Sequence, residues 1–483
     1  MPDVSSRLLP MQRLEWLFDE DSIELIDEVR SRPSADGEAD RGLNVIGARG
    51  RVGGRPVAAY AQDQRISGGS VGQREADMIV TVLRHAREAQ IPVVGFIESG
   101  GARLQDGAGA LDGFGRIFFE NVALSGRSPQ ISVITGTSAG GGCYSPALTD
   151  FVVMAESASM FLTGPKIVKV ALGETVSTED LGGPGVHERN GVCDFVARGD
   201  GAAAELVREL LSYLPAIAGE AAPAFEPEPP HGDGDPAGAL PERSRAFYDV
   251  RDVIRRLGDG GRFLEVAPRW ARNMVVGFTR IDGQAVGVIA NQAAYLGGII
   301  DVDASQKGAK FVRTCDRYGI PMMVLVDTPG FMPGTKQEGL GVIRHGAELV
   351  RAFAGSTAPR ATVILRKAFG GAFITMNSKG LGADAHFSWP GAEIGVMSAT
   401  GAVEIIHRRE LASAPEDPEL AERLAQSYAE RHLTAYAALE LGAIDEVIHP
   451  AQTRDRIAEA LFGGWSADAD VKVRRFERQL SFD

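Results

Sequence analysis

Two short stretches hold small residues where main-chain groups can do chemistry. Ala139-Gly140-Gly141-Gly142 and Phe369-Gly370-Gly371-Ala372 each follow a β-branched strand pattern, over 131–135 and 361–365, and each leads into a helical pattern. Small residues at a helix start leave backbone N–H groups unpaired and unshielded. Donors fixed in place before charge develops can hold an oxyanion, one such donor being worth ~3 kcal/mol of barrier. The same glycines also serve close packing of helix on sheet, and a single turn does not choose between the two uses.

A second pair of loops follows two other apolar strands. They are Glu98-Ser99-Gly100-Gly101-Ala102-Arg103 and Asp327-Thr328-Pro329-Gly330-Phe331-Met332-Pro333-Gly334. Open α/β folds place ligands at such strand ends. Arg103, Lys307, Lys310 and Lys336 are candidates for the phosphates of a nucleotide-like ligand, with surface ion pairs as the alternative. No G-x-S-x-G, H-E-x-x-H, Walker A lysine or well-placed G-x-G-x-x-G occurs. The eight histidines lack metal-ligand spacing, and no metal site is expected. His187 and His386 read as structural residues, and Cys143 as a packing residue with no partner base.

The elements that must position these loops repeat. Gly68-Gly69 answers to Gly297-Gly298 and Pro92 to Pro321 at an offset of 229, while Gly100 answers to Gly330 and the two glycine turns to each other at 230. A repeat at domain length means two copies of one fold. Helical patterns are expected over 11–30, 73–89, 114–125 and 139–148, with a hairpin over 43–62 and strands over 93–97, 131–135 and 151–154. The second copy repeats the rhythm from Tyr248. It has strands over 285–290, 322–327, 361–366 and 446–449, and helices over 305–317, 342–354, 372–378 and 416–442. Strands alternating with helices predict an α/β layer fold. The expected division is a first domain over 1–214, a Pro-rich linker over 215–243, a second domain over 244–464 and a charged tail over 465–483.

Composition narrows the function. Hydrophobic content is 44%, charged content 24% and net charge −14, which argues against a nucleic-acid partner. The longest uncharged stretch, 128–149, is a strand plus a glycine turn and no membrane span is expected. Three scattered cysteines give neither a disulfide framework nor a four-cysteine zinc site, so a cytoplasmic setting is expected.

Four motifs together resemble the carboxyltransferase (β) subunits of biotin-dependent acyl-CoA carboxylases, over roughly residues 10–450. They are the run from Ser99 to Gly107, the run from Ala139 to Asp150, the run from Asp327 to Thr335, and Arg366-Lys367-Ala368-Phe369-Gly370-Gly371-Ala372. The resemblance implies tandem crotonase-like domains in a homohexamer, a trimer of dimers, with each active site between the N-terminal domain of one subunit and the C-terminal domain of another. It implies one oxyanion hole from the amides of Gly140, Gly141 and Gly142, assigned by analogy to the acyl-CoA thioester, and another from Gly371 and Ala372 for the ureido carbonyl of biotin. Ser99, Gly100, Gly101, Ala102, Arg103, Gly297, Gly298, Lys307, Lys310, Pro329, Gly330, Phe331, Gly370 and Ile374 become candidates for binding acyl-CoA or biotin. An aliphatic Ile374 suggests a short acyl group, acetyl or propionyl. The implied chemistry needs no strong protein acid or base, since carboxybiotin supplies CO₂ and a base, and the enolate attacks CO₂. The chain has no biotin-accepting Met-Lys-Met and no ATP-grasp domain, so biotin carboxylase and the biotin carrier are expected on a separate α subunit. Lys166 and Lys169 stand where an acidic or neutral residue is expected. A decarboxylase on the same scaffold, or a non-catalytic scaffold subunit, are the competing readings.

Overall fold

The computed structural model describes residues 8–26, 43–241, 243, 246–414 and 416–463. Two compact units emerge. The first contains α1 (Pro10–Leu17), β1 (Glu24–Leu25), β2 (Val45–Val52), β3 (Arg55–Gln62), α2 (Gln73–Ala89), β4 (Val93–Ser99), α3 (Ala108–Leu124), β5 (Gln130–Ala139), α4 (Tyr144–Ala147), β6 (Phe151–Ala155), β7 (Ser159–Phe161), α5 (Pro165–Leu172), α6 (Thr178–Gly182), α7 (Pro184–Asn190), β8 (Phe195–Ala197) and α8 (Asp200–Tyr213). Its sheet runs β1-β2-β3-β4-β5-β6-β8, with β7 also pairing β5. The β2–β3 hairpin turns on Gly53 and Gly54, both left-handed, as a two-residue turn requires. From β3 onward the pairs are parallel. Every residue of β4 and β6 is buried, which is why these strands read as continuous apolar runs.

The second unit contains α9 (Val250–Leu257), β9 (Leu264–Val266), β10 (Met274–Ile281), β11 (Gln284–Asn291), α10 (Val302–Arg317), β12 (Met322–Thr328), α11 (Thr335–Gly339), α12 (Val342–Gly355), β13 (Arg360–Phe369), α13 (Gly370–Thr375), β14 (Ala385–Ser388), β15 (Glu393–Gly395), α14 (Ala399–Ile406), α15 (Arg408–Ser413), α16 (Leu420–His432), α17 (Ala435–Glu440), β16 (Glu446–Val447) and α18 (Thr453–Phe462). Its sheet, β9-β10-β11-β12-β13-β14-β16 with β15 also on β13, repeats the first strand for strand. Even the irregularities match. The β4–β5 register slips between Ile97 and Ser99, and the β12–β13 register between Val326 and Thr328.

Several expectations need correction. The helix expected over 11–30 ends at Leu17, and residues 27–30 lie outside the described residues. Phe18 turns extended, the Asp19 carboxylate accepts from the Gly53 and Gly54 amides at 3.1 and 2.8 Å, and the chain then pairs with β2. Long-range pairing overrides a helical spacing there. The helix expected over 114–125 begins at Ala108, and that over 416–442 breaks into α16 and α17 at Leu433–Thr434. Helices α5–α8, α14 and α15 have no counterpart in the sequence reading. The first unit ends at Pro223 and takes in Ala267–Trp270, while the second starts at Ala224. Much of the Pro-rich segment is thus packed on the second unit. The Phe225 amide donates to Gly283 O at 3.0 Å, the Arg280 guanidinium lies 4.0 Å from the Phe225 ring centre, and Glu228 and Asp233 pair with Arg262 and Arg256. The tail over 465–483 lies outside the described residues.

One ion cluster ties α1 to the first sheet. The Arg13 side chain is fully buried; its Nη2 lies 2.7 Å from Glu98, its Nε 2.7 Å from Asp200, and its Nη1 donates to Gln62 O at 3.0 Å. Removing one partner of a buried pair leaves an uncompensated charge, so Arg13→Met should cost about 3–5 kcal/mol. Arg49→Met, at the exposed pair with Glu24, should cost under about 1 kcal/mol. Denaturant midpoints of the two variants check this; equal small shifts would show that Arg13 is no anchor.

Candidate active site

The loops picked out by sequence converge at the C-terminal ends of β4 and β5 in one unit and of β12 and β13 in the other. In the first unit the Val71 amide donates to Gly101 O at 2.8 Å and the Arg103 amide to Val71 O at 2.9 Å. In the second the Ile300 amide donates to Gly330 O at 3.0 Å and the Met332 amide to Ile300 O at 2.8 Å. These bonds equate Gly101 with Gly330, at 330 − 101 = 229. They correct the pairing of Gly100 with Gly330, and put the one-residue difference between the copies after Arg103 and Met332. Gly69 and Gly298 pass directly under the ends of the strands that follow them, β4 and β12. A Cβ there would stand 2.1 Å from Glu98 O and 2.3 Å from Asp327 O, so only glycine fits.

The glycine turns cap the next strands. Gly140 and Gly370 share a left-handed φ, +57° and +60°, which turns each chain sharply off its strand. Beyond this they differ. Gly140–Cys143 is a 3₁₀ turn leading into the short α4, whereas Gly370 opens the α-helical turn of α13 directly. In an i→i+3 turn the third amide bonds back to the residue before the turn, leaving Gly140 and Gly141 as spare donors. That corrects the inclusion of Gly142. In an i→i+4 turn the amides of Gly370, Gly371 and Ala372 are all left over. Each unit thus offers adjacent N–H groups at the end of a parallel strand.

The remaining candidates separate. Ser99 is buried, and its Oγ accepts from the Gly101 amide at 3.2 Å; the Gly100 amide donates to Gly68 O. Ala102 bridges to Val71 and Phe331 to Ile300. The Phe331 ring lies against Gly371 and Gly346, and Ile374 is half-exposed one helical turn on. Arg103 turns inward, 2.7 Å from buried Glu75 and bonded to Ser70 O at 3.0 Å, so its charge serves the fold. Lys307 is only 2% exposed on α10 and cannot present its ammonium to a surface phosphate. Lys310 is half-buried on the same helix, and Lys336 lies exposed on α11. Gly297 is left-handed and open beside Gly298.

Sequence reasoning gave no role to the two acids that open the loops. Glu98 and Asp327 are buried carboxylates at the ends of β4 and β12, 229 apart, and that equal spacing of acids was the available signal. Arg13 neutralises Glu98, and Arg366 Nε lies 2.8 Å from Asp327. The Arg366 guanidinium also stacks 4.6 Å from the Tyr248 ring centre, and burial, with Asp327 beside it, holds the Tyr248 phenol well above its ordinary range.

No side chain at either turn offers an obvious base. Burial pushes the Cys143 thiol up to about 11, with its Sγ 2.9 Å from Phe161 O. Burial lifts Cys193 to about 12 and Cys315 well above its ordinary value. Burial lowers His386 to about 4, and a ring nitrogen lies 3.2 Å from Ala443 O. His187 bonds Met160 O at 2.6 Å. Among the described residues no helix is long and apolar enough to cross a membrane, and no group of three or more His, Cys, Asp or Glu is placed to hold a metal.

The chain as a whole has relatives among known proteins. The carboxyl transferase domain model matches residues 4–479. This chain belongs to the carboxyl transferase family. The carboxyltransferase is 46% identical over 470 residues to the propionyl-CoA carboxylase beta chain of Saccharopolyspora erythraea, covering 93% of this chain and 86% of that protein. It is 43% identical over 463 residues to the methylmalonyl-CoA decarboxylase subunit alpha of Veillonella parvula, covering 94% and 89%. A transcarboxylase 12S crystal structure, a hexamer assembly with methylmalonyl-coenzyme A and methylmalonic acid bound, superposes with a TM-score of 0.89 at 40% identity, covering 94% of this chain and 89% of that one. The chain is therefore a carboxyltransferase enzyme of the acyl-CoA carboxylase family, with tandem crotonase-like domains.

The two turns tolerate a methyl group differently. At Gly141 a Cβ would stand 2.9 Å from the Phe114 ring, while at Gly371 the nearest atoms are Phe331 ring carbons at 3.8 Å. If the Gly141 amide is an oxyanion donor, Gly141→Ala should therefore lower transfer activity at least tenfold, since a donor of this kind is worth ~3 kcal/mol and the methyl displaces it. Gly371→Ala keeps its amide and should stay near wild type. Steady-state assays of both variants check the contrast.

Proposed function

We propose that the chain moves a carboxyl group from carboxybiotin, carried on a partner subunit, to the α-carbon of a short acyl-CoA, acetyl- or propionyl-CoA. The observation that supports this reading is the pair of main-chain donor turns in matching register, one per unit, with no side-chain base at either. Each of the two units supplies one turn. The spare amides of Gly140 and Gly141 bind the thioester oxygen, and those of Gly371 and Ala372 the ureido oxygen. Both oxygens become more negative as the reaction proceeds, and fixed N–H donors stabilise that charge without reorganising. The biotin group, when bound, supplies the carboxyl and takes up the α-proton. Ser99 to Ala102 and Pro329 to Phe331 shape the floors of the two turns, and Ile374 lies beside the acyl chain. The biotin carboxylase and carrier come from an α subunit, the chain assembles as a homohexamer, and the setting is cytoplasmic; the three free thiols agree with a reducing compartment.

A second reading is favoured by the decarboxylase relative. On it the same turns hold the enolate formed when a malonyl- or methylmalonyl-CoA loses CO₂.

Supplying the chain with biotinylated carrier, biotin carboxylase, ATP, bicarbonate and a panel of acyl-CoAs should yield carboxylated acetyl- or propionyl-CoA. CO₂ release from methylmalonyl-CoA without ATP, and no carboxylation, would replace the first reading by the second. Gly371→Pro deletes one donor in the first turn of α13, where the lost N–H has no intrahelical acceptor. It should cut transfer by about a hundredfold or more while acyl-CoA binding, measured by calorimetry, survives. Wild-type transfer in this variant would remove the second turn from the mechanism.

A further inference from the structure

We infer that Ser138 is a positioning residue for carboxyl transfer, holding the first glycine turn so that its spare amides keep their direction. The inference rests on the reading of Gly140 and Gly141 as oxyanion donors.

The turns equate residue by residue at 230: Ser138 with Ala368, Gly142 with Ala372, Pro146 with Met376. In the second unit the Met376 amide donates to Ala372 O at 3.0 Å, and Thr375 Oγ1 donates to Gly371 O at 2.8 Å. The first unit cannot form the equivalent backbone bond, because Pro146 has no N–H. The Gly142 carbonyl is served instead by the Ser138 hydroxyl, which donates at 2.9 Å. Ala368 has no hydroxyl, and its turn, with a full backbone ladder, needs none. The Ser138 carbonyl in turn lies 3.2 Å from the Cys143 thiol. One fully buried serine thus holds the far end of the turn through two contacts, just before the strand ends at Ala139.

The first turn borders a small void rather than solid packing. A small cavity lies behind it, lined by Tyr60, Ser99, Phe114, Gly142 and Ser145 among others. A carbonyl freed from Ser138 loses its side-chain donor, since the nearby Ser145 hydroxyl is already committed to Asn121 at 2.9 Å, and it can rotate and take the adjoining amides with it. Hydrogen-bond strength falls steeply with misalignment, so a small rotation costs transition-state stabilisation more than ground-state binding.

Ser138→Ala should lower kcat for transfer about tenfold to a hundredfold, less than outright loss of a donor, with KM for the acyl-CoA little changed. Ser138→Cys, a weaker donor, should fall between. Adding Pro146→Ala to Ser138→Ala returns an N–H four residues after Gly142 and should restore kcat. An unchanged kcat, a loss confined to KM, or no recovery in the double variant overturns the inference. Should Ser138→Ala fail to fold, Ser138→Cys with and without Pro146→Ala gives the same comparison. If Gly141→Ala loses transfer while Ser138→Ala keeps it, this inference alone falls. If both keep it, the oxyanion reading of the first turn falls too.

Discussion

Each unit depends on a carboxylate buried where a parallel strand ends. Glu98 and Asp327 lie under the loops that shape the two glycine turns, and each is held by an arginine, Arg13 or Arg366. A buried charge of this kind is weak evidence for stability, because desolvation offsets most of the attraction. Its effect is to allow few arrangements. The carboxylate must face its arginine, which fixes the strand end; Gly69 or Gly298 must pass directly beneath the strand's last carbonyls; and the next loop must cross in bridge register with Val71 or Ile300. The position of the spare amides follows from that sequence of constraints.

Two copies of one constraint have been elaborated in opposite ways. The first unit takes a 3₁₀ turn, a proline and a serine; the second takes an α-turn with a threonine. The arginines also arrive from different places. Arg13 comes from α1, while Arg366 comes from β13 itself and stacks on Tyr248. Unshared side-chain support for two corresponding turns suits the proposal that they serve different carbonyls.

Much of this was legible in the sequence because glycine and proline are punctuation that backbone geometry enforces. The doubled glycines, the Pro92 and Pro321 strand starts and the apolar runs of β4 and β12 lie where their spacing places them. Spacing failed where long-range contacts decide. Ile23 and Ile26 fit a helical face, yet the hairpin draws that segment into strand pairing. The slip of one residue between the copies was assigned too early, since Gly100 and Gly101 look alike in sequence and only the bridge bonds tell them apart. Lys307 and Arg103 show the limit for charged residues: their types fit a phosphate, but helix rotation and Glu75 turn them inward.

The three thiols carry a practical consequence. Cys143, Cys193 and Cys315 are all held in the protonated form by their surroundings, the first two with pKa values near 11 and 12. Only thiolates attack maleimides and iodoacetamides at useful rates. At neutral pH the native chain is therefore nearly inert to these reagents, and a single cysteine added on an outer helix would accept a fluorophore or spin label alone. The label's signal could then be followed during turnover without first removing any natural cysteine.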